Sequence, residues 1–201
     1  MRVYGDSRSG NCYKVQLLCA ELGIGYDWHE VDILKGETHT PGFLAMNPNG
    51  KIPLLVTADG DYLPESNAIL CFLADGRSLA GTTRLGRATI LSWMFFEQYS
   101  HEPYIATSRF IIQYLGNPAN KRTVLKEKKK AGYRALDIME QQLTDNEWLA
   151  GRDFSLADIA LFAYTHVADE GGFSLKKYPA TRRWIEQIEA RPNFTPMTSA
   201  S

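Results

Sequence analysis

The chain has 201 residues, 44% of them hydrophobic, with 22 Lys and Arg against 23 Asp and Glu, a net charge of −1. That balance lacks the basic excess of a nucleic-acid binder, and no apolar run nears the ~20 residues of a membrane span, so neither partner is expected. No secretory leader pattern is visible, and the three cysteines (Cys12, Cys19, Cys71) lack C-x-x-C or metal-ligand spacing, which points to a cytoplasmic protein without a bound metal.

Met1 to Gly5 reads as a short strand ending in a polar loop, Asp6 to Asn11. A helix follows from about Cys12 to Leu22, with Val15, Leu18, Cys19 and Leu22 at i, i+3, i+4, i+7, and Gly23 and Gly25 end it. Tyr26 to Ile33 alternates as a second strand, and a strand–helix–strand of this size implies a parallel pair. Lys35 to Leu44 is a loop and a short helix. Pro48 and Gly50 then punctuate a turn before Leu54 to Val56, a buried strand. Pro53 belongs at the start of that strand, because proline cannot donate to a ladder. An ordinary Ile52–Pro53 bond is trans. A cis bond would leave the Ile52 main chain outside the sheet, where it could pair with another extended backbone.

Asp59-Gly60-Asp61 forms a natural hairpin turn, and Glu65-Ser66 precede a helical run, Asn67 to Leu73. Taken alone, Glu65 and Ser66 read first as helix caps. A carboxylate and a hydroxyl there also suit a ligand's ammonium and carboxylate, with free helix N–H groups helping the anion. The order β-α-β, then β-β-α, is the thioredoxin arrangement.

Beyond a polar, glycine-rich linker (77–86) the strand pattern stops. Ala88 to Phe96 and Tyr104 to Leu115 have helical spacing, separated or kinked by Pro103. Lys121 to Leu143 is a long amphipathic helix whose Lys126-Glu127-Lys128-Lys129-Lys130 run is its solvated face. Ser155-Leu156-Ala157-Asp158 is a capping box with aspartate in the third position, opening a helix apolar on nearly all sides. Asp158 is therefore structural, and His29 and His166 are read the same way. The expected fold is an α/β thioredoxin-like domain (1–76) followed by an all-α domain (87–201).

Asn47-Pro48-Asn49-Gly50-Lys51-Ile52-Pro53-Leu54-Leu55, followed by Pro64-Glu65-Ser66-Asn67-Ala68-Ile69, resembles the glutathione-binding half of cytosolic glutathione transferases. The Ser155–Asp158 box and the closing Tyr178-Pro179 to Arg191-Pro192 extend the resemblance over nearly the whole chain. It implies a cis Ile52–Pro53 bond, an Ile52 main chain paired with the cysteinyl part of glutathione, and Glu65 and Ser66 at the γ-glutamyl end.

A helix N-terminus favours a thiolate, and a serine there can donate to it although no base adjacent in sequence would make the serine a nucleophile. Alignment with the serine-type (phi/theta-like), bacterial members puts that serine at Ser9. Ser7, if the register slips, Asn11 through its amide, and Cys12 through a mixed disulfide are the other candidates. Some plant-type members place a His-Lys pair over the glycyl carboxylate. Thr38 and His39 stand there in this chain, which makes Lys51 the better candidate, with His39 second. In the helical domain Glu97, His101, Tyr104, Ser108 and Ile111 share a face at spacings of three and four. Tyr104 and Ser108 are expected on the electrophile pocket, although the same face suits a dimer partner. The implied function is a detoxifying, homodimeric transferase that takes glutathione as co-substrate and a small electrophile. The alternatives are a glutathione-dependent disulfide reductase working through Cys12 and a non-enzymatic interaction module.

Overall fold

A computed structural model describes residues 1–197. The chain divides into two compact units, Met1–Asp75 with the segment from Pro192 onward, and Gly76–Arg191.

The first unit runs β1 (Arg2–Gly5), α1 (Gly10–Leu22), β2 (Asp27–Glu30), α2 (Pro41–Met46), β3 (Leu54–Val56), β4 (Tyr62–Pro64) and α3 (Ser66–Leu73). Its sheet has the order β2-β1-β3-β4, with β1 parallel to β2 and β3 antiparallel to both β1 and β4. This is the thioredoxin-like arrangement expected from the sequence. Successive strand residues face opposite sides of a sheet. Val3 and Leu55 accordingly pack with Val15, Cys19 and Ile69 of α1 and α3, whereas Leu54 packs with Val31 and Phe43 on the α2 side. Strand β2 is shorter than its alternation suggested. Asp32 turns the chain after it, its carboxylate accepting the amides of Leu34 and Lys35 at 3.0 and 3.1 Å. The segment from Pro192 is tied down by Tyr13, whose hydroxyl donates to the Thr195 carbonyl at 2.7 Å.

The second unit is helical: α4 (Arg84–Phe96), α5 (Ile105–Arg109), α6 (Arg122–Asp145), α7 (Leu156–Thr165) and α8 (Pro179–Glu189). Between α4 and α5 the break comes before Pro103. The helix widens into a π turn over Glu97–His101, with the Glu102 amide donating to the Glu97 carbonyl at 2.8 Å. A proline ring collides with the carbonyl four residues earlier, and a five-residue turn ahead of it is one way to relieve that collision.

All ten residues of α7 are buried, as its apolar sequence requires, and the Ser155–Asp158 capping box forms. Asp158 Oδ1 also accepts the Leu149 amide and the Trp184 indole, each at 2.9 Å, so one carboxylate joins α7, α8 and the loop before α7. Glu140 of α6 performs a related task for α8, accepting the amides of Ala180 and Thr181 at 2.9 and 2.8 Å. Those amides are donors that a helix start leaves without internal partners. Among the described residues no helix is long and apolar enough to cross a membrane.

Candidate functional site: one end of the four-stranded sheet

Tyr4 pairs with Leu54, and Leu54 with Pro64. The residues just beyond these pairs, Gly5 (the last of β1), Pro53 and Glu65, therefore lie at the same end of the sheet, each leading into a loop or helix start.

The loop after β1 is held by its own side chains. Asp6 is 1% exposed, and its carboxylate accepts the Arg8 amide at 2.8 Å and the Arg8 guanidinium at 3.1 and 3.2 Å. Ser7 turns away toward β2, its amide and hydroxyl donating to Glu30 Oε1 at 2.9 and 3.2 Å. Ser9 occupies the N-cap position of α1 but makes no side-chain capping bond. Its carbonyl accepts the Tyr13 amide at 2.9 Å, which fixes it at the helix start. Cys12 lies beneath this loop with no exposed surface. Burial pushes its thiol up to about 12, and the Ser9 hydroxyl and the Asp6 backbone beside the sulfur pull it only part of the way back. Gly5 belongs to the same packing: a Cβ there would stand 2.9 Å from Cys12 Sγ and 2.6 Å from the Trp28 ring.

The Ile52–Pro53 bond is cis, as the resemblance implied. Asn47 shapes the turn leading to it, donating from Nδ2 to the Lys51 carbonyl at 2.8 Å and accepting the Asn49 amide at 3.1 Å. Gly50 has φ 61, and a Cβ there would meet the His39 ring at 3.0 Å. His39 thus lies over the turn that carries Lys51, and both side chains are exposed.

Glu65 and Ser66 are not caps. Glu65 stands at the N-cap position with φ 72 and ψ 113, a conformation rare for a residue with a side chain, and its exposed carboxylate caps nothing. Ser66 is the first residue of α3 and 4% exposed. Its hydroxyl accepts from Lys14 Nζ at 3.3 Å and donates to Asn11 Oδ1 at 3.4 Å. The structure thus brings Asn11 and Ser66 together and adds Lys14, fully buried on α1, which the sequence reading did not single out. Lys14 lies four residues before Leu18 and seven after Ser7, on the edge of the apolar stripe. A lysine in that register was the available signal.

Two family models cover most of the chain: the glutathione S-transferase N-terminal domain matches residues 8–75 and the C-terminal domain residues 92–192. The chain belongs to the glutathione S-transferase family. It is 39% identical to glutathione S-transferase F10 of Arabidopsis thaliana over 72% of this chain and 70% of that one. It is 32% identical to the disulfide-bond oxidoreductase YfcG of Escherichia coli K12 over 90% of this chain and 87% of that one. A crystal structure of a glutathione S-transferase from Pseudomonas fluorescens Pf-5 superposes with a TM-score of 0.97 at 54% identity, covering 98% of each chain.

In the helical unit of this glutathione S-transferase family member, the face read from the sequence turns largely inward. Glu97 and His101 have no exposed surface, and His101 Nε2 lies 2.9 Å from the Thr165 hydroxyl, which itself donates to the Leu161 carbonyl at 2.7 Å. Ile111 is 7% exposed. Ser108, expected on a ligand pocket, is instead 1% exposed, with its hydroxyl donating to the Tyr104 carbonyl at 2.6 Å. The spacings of three and four thus grouped four of these residues, but on a buried side of the helices. Tyr104 alone of the five keeps appreciable exposure, with Lys128 Nζ 5.9 Å from its ring centre. His166 is structural: it stacks on Phe162 at 4.4 Å, Nδ1 lies 2.8 Å from the Phe162 carbonyl, and burial lowers its pKa.

Proposed function

We infer that this protein is a bacterial, serine-type glutathione transferase that activates the thiol of glutathione for attack on a small electrophile. The γ-glutamyl ammonium meets the Glu65 carboxylate, and the neighbouring α-carboxylate meets the Ser66 hydroxyl and the first amides of α3. The cysteinyl backbone pairs with the main chain of Ile52 beside Pro53. The glycyl carboxylate lies toward Lys51 and His39. The sulfur faces Ser9, whose hydroxyl donates to the thiolate while the N-terminal end of α1 adds partial positive charge. The thiol proton goes to solvent. The thiolate pair then forms the S–C bond as the electrophile's leaving group departs with its own pair, or as charge moves onto a conjugated acceptor. Tyr104 is the remaining candidate contact for that electrophile.

The observation that carries the reading is Glu65. A carboxylate at a helix start that caps nothing, on a backbone conformation unfavourable for glutamate, is hard to account for by stability alone. A pure interaction module has no physical need of it. Calorimetry with glutathione, followed by a panel of electrophiles, tests the reading. Micromolar to millimolar affinity and turnover with at least one carbon electrophile are expected, and absence of glutathione binding contradicts it.

The 32% identity to a disulfide-bond oxidoreductase favours a second reading, in which the same activated thiolate attacks a disulfide sulfur, forming a mixed disulfide as the other sulfur departs as a thiolate. A buried Cys12 raised to about 12 is unsuited to be its nucleophile, so glutathione itself would carry that chemistry. Assembly as a cytoplasmic homodimer with a detoxifying role completes the proposal. Exposed Leu85, Phe95 and Tyr99 on α4 and the turn after it, and Tyr62 and Phe72 on the first unit, are apolar surface that a second copy would cover.

A further inference from the structure

We propose that Lys14 is a positioning residue that makes the Ser66 site a reader of the α-carboxylate at the γ-glutamyl end of the thiol peptide. The inference rests on the glutathione reading above and deepens it. Lys14 has no exposed surface, and its Nζ reaches the Ser66 hydroxyl at 3.3 Å. An ammonium only donates, so it occupies a lone pair of Ser66 Oγ and leaves the hydroxyl hydrogen as what Ser66 offers outward. That hydrogen is directed at Asn11 Oδ1 at a loose 3.4 Å, a contact easily exchanged for a carboxylate oxygen.

Lys14 also supplies charge. A carboxylate bound on Ser66 would sit about 6 Å from Nζ, one further hydrogen-bond length beyond the Lys14–Ser66 contact. At that separation, in a partly solvated site, attraction between unit charges corresponds to about tenfold to a hundredfold in affinity. Long, flexible lysine side chains are rarely fully buried, and here the buried cation donates to Ser66, the first residue of α3. Glu65 presents the opposite charge one residue earlier in the chain. The pair Glu65 and Lys14–Ser66 therefore suits a zwitterionic amino-acid end, ammonium on one side and carboxylate on the other. An acidic or a basic group alone would match only half of it.

The test compares two probes on the purified full chain: glutathione, and γ-aminobutyryl-cysteinylglycine, which lacks only the α-carboxylate. The parent protein is expected to favour glutathione by about tenfold to a hundredfold. Lys14→Met should remove most of that preference by weakening glutathione alone, and Lys14→Arg should restore it. A purely structural role would weaken both probes together and leave their ratio unchanged, which would overturn the proposal. Ser66→Ala serves if Lys14→Met does not fold. With Lys14 in place it should keep part of the preference, and its complete loss there would contradict a role for the lysine charge. Failure of the parent protein to bind either probe would instead count against the glutathione reading itself.

Discussion

The hydroxyl of Ser7 donates to Glu30 Oε1 at 3.2 Å, and the Ser7 amide donates to the same oxygen at 2.9 Å. That double contact commits Ser7 to β2 and separates it from Ser9, two residues on, whose side chain makes no capping bond at the start of α1. Two serines of similar sequence context are thus told apart by a single glutamate.

Glu65 offers a test in which stability and binding move in opposite directions. A side-chain-bearing residue at φ 72 and ψ 113 is held in a sparsely populated conformation, at a cost of about 1–3 kcal/mol. Glu65→Gly should raise the unfolding free energy by about 1 kcal/mol while weakening glutathione by about 2 kcal/mol, since it leaves an ammonium without its charged partner. Denaturant unfolding and calorimetry on the same variant check both halves. Lower stability with unchanged affinity would remove Glu65 from the site.

Much of this was legible in the residues. The Leu54–Val56 strand, the α1 stripe and the Ser155–Asp158 box follow from period, proline and capping rules that act within a few residues. What was hidden depends on contacts across the chain. Glu65 and Ser66 look like caps until α3 is seen to start without their help. Lys14 lies 52 residues from Ser66 in sequence, and no local rule connects them. Spacing alone groups Glu97, His101, Ser108 and Ile111 on one side but does not tell whether that side faces a ligand or the interior, and Ser108 is 1% exposed.

Asp158 should give the helical unit a pH signature. Burial raises its carboxyl from 3.8 to about 6, although four donors to its two oxygens oppose that shift. Between those values the folded state binds more protons than the unfolded one, so this group's contribution is complete below about pH 4 and is lost as pH rises through about 6. The loss is at most about 3 kcal/mol. Asp158→Asn should flatten the difference in that window and lower stability at neutral pH by about 1–3 kcal/mol, because the amide nitrogen faces the Ser155 donors. Melting temperatures of parent and variant from pH 4 to 8 check it, and parallel curves would contradict the assignment.

Cys12 should be inert. With no exposed surface and a thiol raised to about 12, it holds almost no thiolate at neutral pH. Alkylating reagents should modify it only at the rate of global unfolding, and Cys12→Ala should keep glutathione-dependent activity within a few-fold. Rapid labelling of the native protein accompanied by loss of turnover would restore Cys12 as the nucleophile of a reductase.

The central claim is that the Ser9 hydroxyl stabilises the thiolate of bound glutathione, and thiolate absorbance of the complex against pH tests it most directly. A hydrogen bond to a charged group is worth about 1.5–3 kcal/mol, or roughly one to two pKa units. Ser9→Ala should raise the bound thiol's pKa by that amount with binding largely kept, lower neutral turnover by about tenfold to a hundredfold, and recover part of it at higher pH. Ser7→Ala should leave the titration where it is. A titration that moves with Asn11→Ala and not with Ser9→Ala would contradict the account.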